Sequence, residues 1–327
     1  MDVGKDKFEI RSCTMEHVIE KWSGKVNEVV IGNAKKIKIG GAATLPFLHY
    51  EATMPNKPVV AMEVWDMEPT TWPAALKKAV GDVIGDPVKW AKKCVDEFGA
   101  EAICLRLASA HPENKNSSPE QCAETVKKVL KAVSAPLIIL GCGNAEKDNS
   151  VMPKVAEAAK GENCLIGTAT NENYKTIAAA CISCGHNIIA ESPIDVNLCK
   201  QLNILISDMG FAPERIVVHQ STGALGYGFE YTYSIMERAR LAALQGDKML
   251  AQPMMNLCGQ EVYRIKETKA DEKEKPEWGA LEQRAPLWEA VTAAGYLQSG
   301  SDLLVMCHPG AVGVIKKTIE ELMSNEA

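Results

Sequence analysis

The sequence predicts a TIM (β/α)8 barrel with an N-terminal β-hairpin extension. Three observations carry that prediction. Apolar runs alternate with amphipathic stretches about eight times along the 327 residues. The runs are almost continuously hydrophobic, as strands covered on both faces should be. No G-x-G-x-x-G opens the first helix, which leaves the open doubly wound sheet without its signature.

The elements follow in order. Residues 1–57 form an N-terminal extension, in which KVNEVVIGN and KIKIGG read as two short alternating strands that plug or skirt the barrel's N-terminal end. The barrel occupies 58–327. Its first strand is PVVAMEVWD (58–66), followed by a helix over 73–98. AEAICLRLAS (100–109) precedes a helix over 119–133, and APLIILGCG (135–143) one over 150–160. NCLIGTAT (163–170) leads into 174–184, and HNIIAES (186–192) into 195–209. ERIVVHQS (214–221) leads into 228–245. The weaker run AQPMMNLCG (251–259) is separated from its helix, 285–299, by the charged insertion RIKETKADEKEKPEWGALEQR (264–284). DLLVMCHP (302–309) and a helix over 310–323 close the chain. The helical stretches carry the 3.6-residue period. The insertion reads either as a solvated loop or, since βα loops share the active face, as a docking surface.

Composition narrows the function. Net charge is −6 with no basic cluster along a helix, which argues against nucleic acid as the main partner. No apolar run approaches the ~20 residues that span a bilayer. MDVGKDKFEIRSC lacks the apolar core of a signal peptide, so a cytoplasmic location is expected. Eleven cysteines at scattered spacings do not suggest a disulfide framework. The one close pair, Cys181 and Cys184, cannot complete a four-thiolate site by itself.

Barrel chemistry sits at strand C-termini. Those positions offer Glu63, Asp66, Arg106, Ser109, Asn144, Thr168, Thr170, Glu191, His219, Gln220, Asn256, Cys258 and His308. They form no recognised catalytic constellation, and neither a catalytic residue nor a metal ligand is assigned. Glu63 and Glu191 are a conceivable acid–base pair. His219 reads as a base or ligand, or as a capping or core histidine. In GCGNAEKDN (141–149), Asn144 and Asp148 suit a helix cap and the loop suits a ligand contact. The most informative segment is VVHQSTGALGYGFEYTYSIMERARLAAL (217–244). Its loop carries Thr222, Gly223, Ala224, Leu225, Gly226 and Tyr227, then Gly228 and more aromatics. Glycines permit close approach and aromatic rings add flat contact area, so the loop reads either as a wall for something large and planar or as a tight turn folded into the core.

These stretches resemble a known family. GDVIGDPVKWAKKCVDEFGAEAICLRL, PLIILGCGNAEKDN, NYKTIAAA, IDVNLCKQLNILI, STGALGYGFEYTYSIMERARLAAL and HPGAV are together similar to the small subunit of the corrinoid iron–sulfur protein, the delta-subunit family of the acetyl-CoA decarbonylase/synthase complex. The likeness covers roughly residues 58–324. The chain departs from the family where the sixth strand ends in His219, Gln220 and Ser221, in place of an acidic residue and a proline.

The resemblance implies a role in methyl transfer in the reductive acetyl-CoA (Wood–Ljungdahl) pathway. The corrinoid protein takes a methyl group from methyltetrahydrofolate through a methyltransferase and delivers it to acetyl-CoA synthase. It implies a heterodimer whose large subunit holds the cobalamin and a [4Fe–4S] cluster, while the barrel's C-terminal face helps enclose the cobalamin. Thr222, Gly223, Ala224, Leu225, Gly226, Tyr227, Asn144, Glu191 and His308 are then the expected cofactor-binding residues. The alternative is a self-sufficient pterin-binding barrel methyltransferase, with Asp66 and Asn144 holding the pterin.

Overall fold

A computed structural model describes residues 18–324, so the leader reading of residues 1–13 lies outside the described residues. Eight parallel strands close into a barrel: β3 (Val59–Trp65), β4 (Ala102–Arg106), β5 (Leu137–Leu140), β6 (Leu165–Ala169), β7 (Asn187–Glu191), β8 (Ile216–His219), β9 (Met254–Asn256) and β10 (Ser301–Met306). Each pairs with the next in sequence, and β10 closes the ring against β3. Before them, β1 (Glu28–Ile31) and β2 (Ile37–Gly40) pair antiparallel as the expected hairpin.

The period-two alternation of the strands builds two cores. Outward residues such as Val60, Met62, Ile103 and Ile139 pack under the helices. Inward residues such as Val59, Ala61, Cys104, Ile138, Ile189, Val217 and Val305 fill the barrel together with Val29, Ile31 and Ile39 of the hairpin. The hairpin therefore plugs the N-terminal mouth. Asn163 and Asn187, at the starts of β6 and β7, both donate to the Val30 carbonyl, at 2.8 and 2.9 Å.

Continuing the inward alternation beyond the apolar layer puts Glu63, Arg106, Glu191 and His219 on the inner wall at the C-terminal end. Apolar layers thus support polar side chains that open to the opposite mouth. Parallel register sets Glu191 beside His219.

Four boundaries differ from the sequence reading. The helix expected over 73–98 is two, α1 (Ala74–Val80) and α2 (Pro87–Asp96). Gly81 (φ +87°) and Gly85 (φ +91°) break it, and Asp86 caps the restart, with Pro87 in the first turn. After α3 (Pro119–Ala132), α4 (Ala145–Ala158) starts five residues earlier than read, because Asn144 accepts from the Lys147 N–H and caps it. α5 (Tyr174–Cys184), α6 (Val196–Asp208) and α7 (Phe229–Leu244) fall where expected. The run read as a strand to 259 ends at Asn256, and Cys258 starts the short helix α8 (Cys258–Val262). Then α9 (Leu281–Ser299) starts before residue 285, inside the insertion, and α10 (Pro309–Met323) ends the described chain. The rest of the insertion is compact, with Lys266, Lys275 and Arg284 all within about 6 Å of the Trp278 ring.

Candidate functional site at the barrel's C-terminal mouth

Two adjoining hollows form a polar trough across the C-terminal mouth. The inner one, about 350 Å³, is lined by residues including Arg106, Thr168, Glu191, His219, Thr222 and Gln260. The outer one, about 470 Å³, is lined by residues including Asp148, Thr170, Asn173, Glu191, Ser192 and Ser221. Gly143, Thr168, Glu191 and Ser221 belong to both, so the trough is continuous.

The floor is a buried ionic group. Arg106 Nε donates to Glu63 Oε1 at 2.6 Å, Trp65 Nε1 donates to the same oxygen at 2.9 Å, and an Arg106 Nη donates to Gln260 Oε1. Glu63 is thereby committed to Arg106, and the structure gives it no contact with Glu191. Glu191 instead lies 3.8 Å from His219 Nδ1. His219 is buried, its Nε2 shares a hydrogen bond with Thr222 Oγ1 at 3.1 Å, and its Nδ1 is unpartnered. Burial lowers the His219 pKa against the pull of the Glu191 carboxylate, so the ring is neutral at pH 7. At the rim Arg264 bonds Glu261 at 2.7 Å.

Short loops hold the outer hollow. The Asp148 carboxylate accepts from Cys142 N at 2.8 Å and Gly143 N at 3.1 Å, which folds the GCG turn back over α4. A Cβ on Gly141 would lie 2.5 Å from that carboxylate, so only glycine fits there. Burial raises the Asp148 pKa. Burial also pushes the nearby Cys142 thiol up to about 12, which keeps it protonated and poorly nucleophilic. Ser221 is held at φ +63°, and its hydroxyl donates to the Ser192 carbonyl at 3.1 Å.

The expected site residues divide among different environments. Glu191 and Thr222 line the trough. Asn144 lies at its edge, with its side chain spent on the α4 cap. His308 caps α10 through Nδ1, 3.0 Å from Gly310 N. Gly223 is buried: Tyr296 Oη accepts from its N–H at 2.8 Å and donates to its carbonyl at 2.6 Å. Ala224 packs against Val262 and Ile265. Leu225 lines a separate apolar groove with Trp278, Leu287, Trp288 and Val291. Gly226 takes φ +81°, and the exposed Tyr227 donates to the Glu267 carboxylate. The loop therefore runs from the trough, under α9, to the folded insertion. Asp66 is tied to Ser109, outside both trough hollows.

Sequence reading missed Gln260, Glu261 and Arg264. Gln260 and Glu261 sit on a five-residue helix, too short for periodicity to reveal, between the run read as a strand (251–259) and the insertion (264–284), and Arg264 is the first residue of that insertion. Among the described residues, no group of three or more His, Cys, Asp or Glu could hold a metal ion. Cys181 and Cys184 end α5, whose C-terminus lies at the opposite mouth from the trough.

The sequence profile of the family described as CO dehydrogenase/acetyl-CoA synthase delta subunit matches residues 28–269. The acetyl-CoA decarbonylase/synthase complex subunit delta of Methanosarcina mazei is 38% identical over 93% of this chain and 72% of its own length. The corresponding subunit of Methanocaldococcus jannaschii is 36% identical over 94% of this chain and 77% of its own length. Among solved structures, dihydropteroate synthase of Xanthomonas albilineans in complex with 7,8-dihydropteroate has a TM-score of 0.56 at 11% identity, covering 83% of this chain and 96% of that one. The Coxiella burnetii enzyme, in complex with pteroic acid, has a TM-score of 0.56 at 10% identity, covering 90% of this chain and 99% of that one. At such identities the likeness concerns the fold.

Proposed function

The chain belongs to the CO dehydrogenase/acetyl-CoA synthase delta subunit family, and from that premise we propose that it is the small subunit of a corrinoid iron–sulfur methyl carrier. In this reading a larger subunit holds cobalamin and a [4Fe–4S] cluster. The barrel's C-terminal mouth covers one side of the cobalamin. The methyl group comes from methyltetrahydrofolate through a methyltransferase and goes to acetyl-CoA synthase.

The observation that supports this most is the continuous polar trough in a chain of this family. A corrin is broad, flat and fringed by carboxamides. Thr168, Thr170, Asn171, Ser192, Ser221 and Thr222 offer a spread of hydroxyl and amide groups suited to such a fringe. The Glu191 carboxylate, which lines both hollows, adds a polar group that a cofactor would satisfy. These residues would hold the cofactor's edge, and the cobalt of bound cobalamin would supply the methyl-accepting centre. The chain's own contribution is to bind, orient and exclude water, which protects a reactive centre.

The test is the visible spectrum and metal content of the chain purified alone and with its larger partner. The pair should carry corrin and iron–sulfur absorption, and the chain alone neither. Stoichiometric cobalt or iron in the isolated chain, or a pair without corrinoid, would overturn the reading.

A second reading is a pterin-binding methyltransferase that works without a partner. The fold likeness to dihydropteroate synthases and the polar inner hollow favour it. Tight binding of methyltetrahydrofolate by the isolated chain, with no cobalamin in the pair, would select it.

A further inference from the structure

Glu191 is unusual among the charged groups of the inner hollow. Glu63 is bonded to Arg106, Glu261 to Arg264 and Asp148 to two backbone N–H groups. The Glu191 carboxylate accepts no hydrogen bond among the described residues, and its nearest charge partner is His219 Nδ1 at 3.8 Å. Yet it lines both hollows. On β4, three strands away around the barrel, the pattern is reversed. Arg106 has spent Nε on Glu63 and one Nη on Gln260, which leaves N–H donors on its other Nη. Gln260 uses its carbonyl to accept from Arg106, which leaves its NH₂ group as a donor. One wall therefore presents a bare acceptor and the other presents bare donors.

Charge decides what fits between them. The arginines at this hollow, Arg106 and Arg264, face Glu191, Glu261 and, directly behind Arg106, Glu63. His219 is neutral at pH 7, because burial lowers its pKa. An anion would meet this excess of carboxylate at Glu191, and a cation would meet the arginines. A neutral group with an N–H beside a C=O satisfies both walls at no net charge, and buried polar groups are costly to leave unpaired.

We propose that the inner hollow is a receptor for a neutral amide edge, its N–H directed at Glu191 and its C=O at Arg106 and Gln260. This deepens the reading of the mouth as a cofactor wall and rests on it for the source of the amide. Two sources share this chemistry: a carboxamide arm of a corrin and the lactam edge of a reduced pterin.

The test uses the full chain and two isosteric probes, propionamide and propionate, followed by saturation-transfer NMR. Propionamide should bind at least about tenfold more tightly than propionate, because a hydrogen bond to a charged group contributes about that much. Glu191→Gln, which keeps the side chain's shape, should weaken propionamide at least about fivefold, with unfolding temperature unchanged. Displacement of propionamide by cyanocobalamin assigns the corrin arm, and displacement by methyltetrahydrofolate assigns the pterin. Undetectable propionamide binding, propionate binding as well as propionamide, indifference to Glu191→Gln, or displacement by neither cofactor would each overturn the proposal. Cobalamin in the purified heterodimer is measured separately. A heterodimer that holds cobalamin while these tests fail would sink the amide receptor and leave the proposed function standing.

Discussion

Glu289 is a fully buried carboxyl that ties together the end of the barrel's last strand. It accepts from Cys307 N at 2.6 Å, His308 N at 3.0 Å and Tyr263 Oη at 3.0 Å. Burial outweighs these bonds and pushes its pKa up to about 7. The unfolded chain ionises at the ordinary carboxyl pKa, well below that. The folded state therefore binds the proton more tightly, and this contribution is whole at acid pH and is lost as pH rises towards about 7. The full shift is worth on the order of 3 kcal/mol. Glu289→Gln should be less stable than the parent at pH 5, with the gap shrinking by pH 8; urea titrations at the two pH values measure it, and parallel behaviour at both would refute the assignment. The two loop glycines offer a second test. A Cβ at Gly223 would lie 2.5 Å from the Gly228 carbonyl carbon, whereas at Gly226 it would meet open space. Gly226→Ala pays only for its positive φ, about 1–3 kcal/mol. Gly223→Ala must move backbone and also disturb both Tyr296 hydrogen bonds, so it should lower the thermal midpoint more. An equal or larger loss at Gly226 would show that the loop is not packed as described. At this scale the sequence could point to Glu191, because strand C-termini are identifiable from an apolar run, while Thr222 came only with the whole loop 222–227. It could not separate Thr222 from Gly223. Adjacent residues face opposite ways, and which one meets Tyr296, 73 positions later, is a tertiary fact.

The strands were readable because both faces of each are buried, which leaves long apolar runs whose ends mark the mouth. The hairpin was readable from its alternation, and its plugging role follows from its inward side chains. Ile31 and Ile39 are fully buried among the barrel's interior residues. Ile31→Ala should therefore cost about 2–5 kcal/mol, as deletion from a packed core does. Chemical denaturation checks this, and a loss within ~0.5 kcal/mol, typical of surface positions, would mean that the hairpin merely rests on the barrel. What the sequence concealed were breaks and short pieces. Gly81 and Gly85 divide a helix whose apolar period continues across them. The α8 turn offers five residues, fewer than two helical turns, yet it carries Gln260 and Glu261 into the trough. The missing part of the site was thus missing because its element is too short to have a period.

At the scale of the whole molecule, the mouth has two unlike surfaces side by side. The trough is polar, while the groove between the β8–α7 loop, the insertion and α9 is apolar. On α9, Leu287 is 63% exposed and Val291, one turn later, 46% exposed. Trp288 Nε1 donates to the Leu225 carbonyl at 3.1 Å and Arg284 to the Glu267 carbonyl at 2.6 Å, so α9 fastens loop and insertion into one surface. Exposed apolar side chains grouped in this way mark interaction sites. The family relatives are named as subunits of a complex, and under the function proposed above the large subunit is the expected occupant of this groove. Leu287→Glu together with Val291→Glu should leave the isolated chain's unfolding midpoint nearly unchanged, since exposed substitutions usually matter little. The same pair should weaken assembly with the co-expressed large subunit at least about tenfold, because buried charges at an interface centre lack partners. Size-exclusion chromatography of the two preparations separates the possibilities. Loss of the one-to-one peak with an intact barrel places the partner on the groove. An undiminished peak moves the interface elsewhere on the mouth, and the groove then has no part in assembly.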